Sequence, residues 1–177
     1  RSPRRMDLLR AAGFEFEVRN VEVDESVMPG ESPHSYVLRV AEMKALAVDL
    51  HPREVILAAD TTVALGEEIL GKPADEEDAR SMLEKLSNRR HEVFTGVCLR
   101  SEGNLTTQVA CTGVWFDPLT KEEIDGYVRS GEPNDKAGAY AIQGLASKFI
   151  SRIDGSYSNV VGLPVDLVYR MLREHRD

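Results

Sequence analysis

Residues 55–62 read VILAADTT, in which an apolar run leads into Asp60 and Thr61, and a buried strand is predicted over residues 54–59. A short run of this kind is typical of a strand that is covered on both faces. Open α/β sheets bind ligands in the crevice beyond the carboxyl ends of such strands. We therefore expect Asp60, at the end of the strand, to be the leading catalytic candidate.

A carboxylate at this position fits several roles. Asp60 could hold Mg²⁺ or Mn²⁺, which take oxygen ligands and bridge phosphates. It could instead orient and deprotonate an attacking water. An aspartate after a strand can also form an Asx turn with its own backbone. The neighbouring residues do not decide among these roles.

Helices and strands alternate on either side of this strand. Helix starts are marked by N-caps, a capping box or proline at Ser2-Pro3, Ser32-Pro33, Asp75, Thr120 to Glu123, and Pro164. Further strands are predicted at residues 63–65, 69–70, 91–100, 105–116 and 149–153. Together they predict a single α/β domain over residues 1–177, with helices around a mixed sheet.

Composition limits the classes of partner. The chain has 177 residues, 42% of them hydrophobic and 29% charged, and a net charge of −8. It is long enough to build a core that needs neither a disulfide nor a structural metal. The acidic balance argues against a nucleic-acid partner, because such surfaces bind through a basic stripe. A small phosphorylated ligand would need a few cations gathered in one cleft.

The sequence also carries information about membrane association, disulfides and metal sites. No apolar run approaches the roughly 18 residues of a membrane span, so we expect no membrane partner. Cys98 and Cys111 lack CxxC spacing, and the four histidines lack the pairing of a zinc site. We expect free thiols in a reducing cytoplasm. A disulfide between the two predicted strands that carry the cysteines stays an alternative.

Arg4 and Arg5 lie in the first turn of the first predicted helix, where the helix dipole favours anions. Two cations there are locally unfavourable unless an anion joins them. The free N–H groups of a helix start bind phosphate, and guanidinium groups add forked, charge-assisted hydrogen bonds. The pair is therefore either a phosphate site or two solvated arginines of a short helix.

Two lysines and a glutamine also depart from ordinary packing patterns. Lys44 lies in the apolar stripe of the second helix, where it either snorkels past the core edge or reaches into a polar cleft. Lys72 is either a solvated loop lysine or a second cleft cation. Gln143 follows a run of small residues that lets a ligand approach the backbone closely. Its amide pairs either with a base edge or with backbone groups.

These residues fall within motifs that occur in one order and span essentially the whole chain. The motifs are Ser2-Pro3-Arg4-Arg5, Lys44-Ala45, Ala59-Asp60-Thr61, Gly71-Lys72-Pro73, Phe94-Thr95-Gly96, Asp135-Lys136-Ala137-Gly138, Ile142-Gln143-Gly144 and Val161-Gly162-Leu163-Pro164. In this order they closely resemble the Maf family of nucleotide pyrophosphatases. The resemblance favours functional over structural roles for the unusual residues.

The resemblance implies an elongated α/β fold akin to the inosine-triphosphate pyrophosphatase group, usually dimeric. The implied reaction splits a nucleoside triphosphate into the monophosphate and pyrophosphate with Mg²⁺ or Mn²⁺. The family's acidic catalytic position falls on Asp60, as proton acceptor or metal ligand. Its polar cleft positions fall on Ser2, Arg4, Arg5, Glu25, Lys44 and Lys72. Glu25 is the second candidate metal ligand.

The resemblance also implies a base preference. Arg4, Thr61 and Gln143 are similar to the branch that acts on dTTP and UTP, whereas the 7-methyl-GTP branch has tryptophan, glutamine and glutamate there. The Gln143 amide could accept from pyrimidine N3–H and donate to O4. A 7-methyl-GTP or inosine-type pyrophosphatase stays an alternative. So does a non-catalytic nucleotide-binding regulator of cell division, which the family's association with septum formation suggests.

The sequence departs from the family pattern at one place. The pattern has a further strand, and a serine two positions before Ser2. We expect that strand and one phosphate contact to lie outside the present sequence.

Overall fold

The computed structural model describes residues 2–175. It contains six α-helices and five strands in the chain order α1 Pro3–Ala11, α2 Pro33–Leu46, β1 Ile56–Leu65, β2 Glu68–Leu70, α3 Glu76–Leu86, β3 Arg90–Ser101, β4 Asn104–Phe116, α4 Lys121–Arg129, β5 Ile150–Asp154, α5 Tyr157–Val161 and α6 Val165–Glu174. Short 3₁₀ turns span Glu132–Asp135, Ala137–Ala139 and Leu145–Phe149. The α/β class predicted from the sequence is confirmed.

The strands form one sheet in the order β2-β1-β3-β4-β5. Every ladder between the described strands is antiparallel, so the expected mixture of parallel and antiparallel pairs is not found. The tight hairpins explain part of this, because Gly66 and Gly103 adopt positive φ and reverse the chain within a few residues. Strand β3 then returns antiparallel to β1 after the α3 crossover.

Strand β1 is longer than predicted, and this changes the position of Asp60. The sequence indicated one strand ending at Ala59 and another over residues 63–65, but the structure joins them into the ten-residue strand Ile56–Leu65. The β-branched Thr61 and Thr62 suit an extended backbone and carry the strand through. Asp60 therefore lies in the middle of β1, opposite Gly96 of β3, and the expectation that it ends the strand was wrong.

Helix α2 lies across β1 and β3 on one face of the sheet. Its buried Ala41 and Ala45 pack against Cys98 and the partly buried Ala58. A Cβ on Gly96 would overlap the carbonyl of Val37, so this glycine is what lets the helix approach the sheet so closely. The close approach brings the last turn of α2, with Lys44, over the middle of β1.

The other face of β1 packs against the C-terminal helix. Ala59, Val97 and Leu99 form a core there with residues of α6, and Leu8 and Leu9 of α1 pack at its edge. Successive side chains along a strand point to opposite faces. Asp60 therefore faces α2, and Thr61 faces α1. The far end of the sheet is covered by α3 and α4.

Helix starts follow the predicted chemistry with one exception. Ser32 and Asp75 accept hydrogen bonds from the backbone N–H groups of Ser35 and Asp78, and Thr120 forms the predicted capping box. Ser2, by contrast, makes no side-chain capping bond to α1. Helix α5 was not predicted.

The structure bears on two features that the sequence did not favour, a membrane-spanning helix and a disulfide. No helix in the range 2–175 is long and apolar enough to cross a membrane. Cys98 and Cys111 are both free, as predicted. The strand register places Cys98 opposite Thr107 and Cys111 opposite Phe94, so the thiols do not face each other.

Candidate active site

A cavity of about 810 Å³ lies where α1, α2, β1 and the segment after α4 meet. Its wall includes every residue that the sequence singled out: Ser2, Arg4, Arg5, Glu25, Lys44, Asp60, Thr61, Lys72 and Gln143. They come from positions between 2 and 143 of the chain, so only the fold brings them together. A volume of this size is typical of small-molecule sites.

Lys44 joins two carboxylates at the α2 side of the cavity. Its Nζ lies 2.7 Å from Oδ1 of Asp60 and 2.7 Å from Oε1 of Glu25. The Lys44 side chain is 18% exposed and that of Asp60 9%, whereas Glu25 is 46% exposed. Lys44 therefore reaches into a polar cleft rather than past the core edge. The two acids converge on a single cation.

Oxygen donors arranged in this way fit a hard divalent cation. Mg²⁺ is commonly held by one or two carboxylates together with substrate phosphates. Asp60 and Glu25 supply such a pair, since their oxygens already approach one positive centre. Among residues 2–175 there is no group of three or more histidine, cysteine or acidic side chains that could hold an ion by itself. Asp60 and Glu25 are therefore the described residues that could contribute ligands to such a cation.

Arg5 is bonded to the protein by three donors. Its Nε donates to the carbonyl of Gly162 at 2.7 Å, one Nη to the carbonyl of Ala59 at 2.8 Å, and the other to Oγ1 of Thr61 at 2.8 Å. Burial lowers its pKa from the ordinary value, and the nearby charge of Asp60 opposes that shift. Arg5 thus ties α1 to β1 and to the loop after α5.

Thr61 completes this network. Its Oγ1 donates to the carbonyl of Gly162 at 3.1 Å and lies 2.9 Å from Oγ1 of Thr95. With the bond from Arg5, the hydroxyl has three protein partners, which fills its hydrogen-bonding capacity. Thr61 therefore lines the cavity through a hydroxyl that is already committed to the wall.

Arg4 and Lys72 differ from Arg5. Both line the cavity, and neither side chain has a hydrogen bond or ion pair with another residue of the range 2–175. Ser2 lies beside them at the start of α1, which has no acidic residue in its first turn. Two cations without partners among residues 2–175, next to a helix start, are groups that could bind an anion in an otherwise acidic protein.

Sequence reasoning named the motif at residues 135–138 but assigned no role to Lys136. The structure places Lys136 in the cavity wall with a side chain that is 16% exposed. Its Nζ contacts the Asp135 carboxylate and donates to the carbonyl of Glu132 at 3.3 Å. The signal that could have found it is a lysine within a run of small residues.

Tyr140 is a second wall residue that the sequence did not single out. Its hydroxyl lies 2.8 Å from Nε2 of His91, which is 1% exposed. Burial, followed by the charge of Arg90, lowers the pKa of His91 to about 4. His91 is therefore a neutral core group that fixes Tyr140. Because it lies on β3 far from Tyr140 in sequence, no local pattern pairs them.

Gln143 also lines the cavity. It is exposed, and its amide has no hydrogen bond to any other described side chain or backbone group. The amide is therefore not satisfied by backbone groups, which was one of the two roles that its sequence position allowed. A free amide at the rim of a cavity can read a ligand edge.

Comparison with known proteins agrees with this geometry. A family model described as Maf-like protein matches residues 1–175. The chain belongs to the Maf family. This confirms the resemblance carried by the motifs around Arg4, Asp60 and Gln143.

Relatives within the Maf family match along nearly the whole chain. A protein of Anaeromyxobacter dehalogenans strain 2CP-C is 54% identical over 176 residues, covering 97% of this chain and 89% of the relative. One of Sphingopyxis alaskensis is 51% identical, covering 93% and 87%. One of Pseudoalteromonas atlantica is 44% identical, covering 98% and 95%. All three are named dTTP/UTP pyrophosphatase.

Proposed function

We propose that this Maf protein hydrolyses dTTP and UTP to the nucleoside monophosphate and pyrophosphate. The observation that carries the proposal is the convergence of unpaired cations, two carboxylates and a free amide on one cavity in a protein of net charge −8. The names of its relatives support the same reaction. Two alternatives compete with this proposal. One is a preference for 7-methyl-GTP or ITP, and the other is nucleotide binding without hydrolysis.

The triphosphate would lie along the cationic wall. Arg4 and Lys72 are free to donate to phosphate oxygens, and the start of α1 adds backbone N–H groups. Arg5 has three donors committed to the protein, so its contribution is to hold this wall in place and to add charge. Neutralising the phosphates favours attack of water at the α-phosphorus.

Asp60 would act on the attacking water. It is buried and held by Lys44, so its carboxylate has a fixed position at the floor of the cavity. A positioned carboxylate can orient a water and accept its proton. Asp60 and Glu25 are also the residues that would hold Mg²⁺ or Mn²⁺. When bound, the metal would polarise the phosphoryl oxygens.

Gln143 would select the base. Its amide oxygen can accept the N3–H of uracil or thymine, and its amide N–H can donate to O4. Arg4 and Thr61 would shape the same end of the cavity. For Thr61 the structure supports an indirect role, because its hydroxyl is fully bonded to Arg5, Thr95 and Gly162.

A panel of nucleotides tests the proposal. Pyrophosphate release would be measured with Mg²⁺ or Mn²⁺ from dTTP, UTP, CTP, ITP and 7-methyl-GTP, alongside binding by calorimetry. We expect the highest kcat/KM for dTTP and UTP. Preference for 7-methyl-GTP or ITP would contradict the roles of Arg4, Thr61 and Gln143. Tight binding with no release would indicate a nucleotide-binding regulator.

The remaining expectations concern the whole protein. We propose that residues 1–177 act as one Maf domain, that the protein works as a homodimer in the cytoplasm, and that neither nucleic acid nor membrane is a partner. Support comes from the span of the family model, the free thiols and the acidic charge. Light scattering on a sizing column would show twice the monomer mass of 19.7 kDa.

A further inference from the structure

The segment that carries Gln143 is held at both ends by two residues outside the cavity wall. The backbone N–H of Ala141 donates to the Tyr127 hydroxyl at 3.2 Å. The backbone N–H of Leu145 donates to Oε2 of Glu132 at 3.0 Å. Tyr127 in turn donates to Oε1 of Glu132 at 2.8 Å. One phenol and one carboxylate thus connect the two ends of residues 141–145.

The anchors themselves have fixed positions. Tyr127 is 4% exposed on α4, and its ring packs edge-on against Phe149 with 5.6 Å between centroids. Burial, and then the hydrogen bond to Glu132, raises the pKa of Tyr127 above its ordinary value, so the phenol keeps its proton. Glu132 begins the 3₁₀ turn that directly follows α4 and Gly131. Tyr127 is therefore held in the core, and Glu132 lies partly buried next to it.

Gly144 gives independent support for this arrangement. A Cβ at this position would overlap the Glu132 carboxylate, although the backbone of Gly144 does not have positive φ. The absence of a side chain at Gly144 therefore leaves room for the Glu132 carboxylate to lie directly against the segment. The segment closes around Glu132, with Gln143 projecting toward the cavity next to it.

Base chemistry explains why the placement of Gln143 matters. Thymine offers N3–H beside the O4 carbonyl, and hypoxanthine offers N1–H beside the O6 carbonyl. One amide can pair with either edge, so the hydrogen-bond pattern alone does not separate dTTP from ITP. The two bases differ in size, and therefore in how far the edge lies from the triphosphate.

We propose that Tyr127 and Glu132 are positioning residues for base selection, which set the distance between Gln143 and the phosphate-binding wall so that a pyrimidine fits and a purine does not. This inference rests on the proposed function. The pair touches no substrate and acts through the backbone of residues 141–145. Loss of the hydrogen bonds made by Tyr127 and Glu132 should reduce the preference for pyrimidine over purine triphosphates more than it reduces binding of the triphosphate group.

Tyr127→Phe is the test variant, because it removes the hydroxyl and keeps the ring that packs on Phe149. We expect the ratio of kcat/KM for dTTP to that for ITP to fall by about 10-fold, the lower end of the discrimination that a misfit of one methylene group produces in a specificity pocket. Glu132→Gln keeps the side-chain shape and one acceptor, and should fall between the wild type and Tyr127→Phe. Glu123→Gln is the control, since Glu123 accepts the N–H of Thr120 at 2.8 Å on the same helix but lies outside the cavity wall.

A double variant separates positioning from general destabilisation. In a Gln143→Ala background, Tyr127→Phe should leave the dTTP to ITP ratio unchanged, because the group through which it acts is gone. Hydrogen exchange should show faster exchange across residues 141–145 in Tyr127→Phe but not in Glu123→Gln. Unchanged exchange, an unchanged ratio, or an equal fall in the ratio in both backgrounds would overturn the inference.

The two proposals can fail separately. A wild-type protein that prefers ITP or 7-methyl-GTP, or that hydrolyses no triphosphate, contradicts the proposed function. A wild-type protein that prefers dTTP, paired with a Tyr127→Phe variant that keeps the preference, contradicts only the role of Tyr127 and Glu132.

Discussion

Asp60 is the residue on which the proposed chemistry depends. Its carboxylate lies 2.7 Å from the Lys44 ammonium and is largely hidden from bulk solvent. Asp60→Asn keeps the shape but removes the base and the charge. We expect kcat to fall by about 10² to 10⁴-fold while calorimetry still detects nucleotide binding. The exposed Asp7→Asn on α1 is the control, and a fully active Asp60→Asn enzyme would remove Asp60 from the mechanism.

Arg4 and Arg5 are neighbours with opposite expected phenotypes. Arg4 has no partner among the described residues, so Arg4→Ala should raise KM by roughly 10 to 100-fold with little change in Tm. Arg5→Ala removes three hydrogen bonds and should cost about 3 kcal/mol or more, a fall in Tm of roughly 6 to 12 °C. Steady-state kinetics and thermal unfolding of both variants check this. Equal effects of the two substitutions on Tm would contradict a substrate-binding role for Arg4 and a structural role for Arg5.

The same pair shows what residue patterns can reveal. Two arginines in the first turn of a helix indicate either an anion site or two solvated side chains, and the pattern does not show which side chain is committed to the protein. That distinction comes from Ala59, Thr61 and Gly162, which approach Arg5 only in the fold. Likewise, Lys44 was predicted as either a surface or a cleft lysine, and the position of Asp60 and Glu25 decides it.

At the scale of elements, the approach of α2 to the sheet positions Lys44. Gly96→Ala would place a methyl group against the backbone carbonyl of Val37, which cannot rotate away. We expect a loss of about 1–3 kcal/mol of stability and a lower kcat at temperatures where the protein stays folded, because α2 must shift with Lys44. Urea unfolding and kinetics check this.

Gly126→Ala is the matched control for that variant. Gly126 is exposed on α4, and a Cβ there meets only the end of the Arg129 side chain, at 4.0 Å. An alanine in an exposed helix should stabilise the protein by roughly 0.5–1 kcal/mol. If Gly96→Ala behaved like Gly126→Ala, the close packing of α2 would not be what positions Lys44.

Element prediction succeeded where local signals are strong. Capping residues and prolines predicted five helix starts, at α1, α2, α3, α4 and α6, to within about two residues, as expected for such signals. The continuity of β1 was missed because Asp60 looked like the end of an apolar run, whereas Thr61 and Thr62 continue the strand to Leu65. Helix α5 has only five residues, Tyr157–Val161, and carries no hydrophobic period long enough to predict.

At the scale of the whole molecule, His91 links stability to pH. Its pKa is lowered to about 4 in the folded protein, against about 6.5 when unfolded. As pH falls below 6.5, the unfolded chain binds a proton that folded His91 does not, so stability is lost between about pH 6.5 and 4. From pH 7.5 to 5 this amounts to about 2 kcal/mol.

Urea unfolding at pH 7.5 and pH 5 measures that loss. His91→Gln should remove most of this pH-dependent difference, whereas His51→Gln, at an exposed histidine, should keep it. If the free energy of unfolding fell equally in the wild type and in His91→Gln between pH 7.5 and pH 5, the buried histidine would not be the cause of the pH dependence.

The topology of the molecule was the least predictable feature. Sheet order and strand direction depend on contacts between distant residues, such as the pairing of Asp60 with Gly96, which no local pattern specifies. The prediction of a mixed sheet was wrong for this reason, since all pairs of described strands are antiparallel. Every polar group that the sequence singled out as a site residue nevertheless lines the cavity. Some of them broke a local packing or charge rule, whereas Glu25 was named from the family resemblance alone. Lys136 and Tyr140 broke none strongly enough to be noticed.

In the proposed reaction, water attacks the α-phosphorus in the cavity bounded by Arg4, Lys72 and Asp60. This step is tested most directly by hydrolysing dTTP in ¹⁸O-labelled water with Mg²⁺ and identifying the labelled product by mass spectrometry. We expect equal amounts of dTMP and pyrophosphate, with the label in dTMP, because the oxygen of the attacking water joins the α-phosphorus. Label in pyrophosphate, or release of orthophosphate with dTDP, would contradict this expectation.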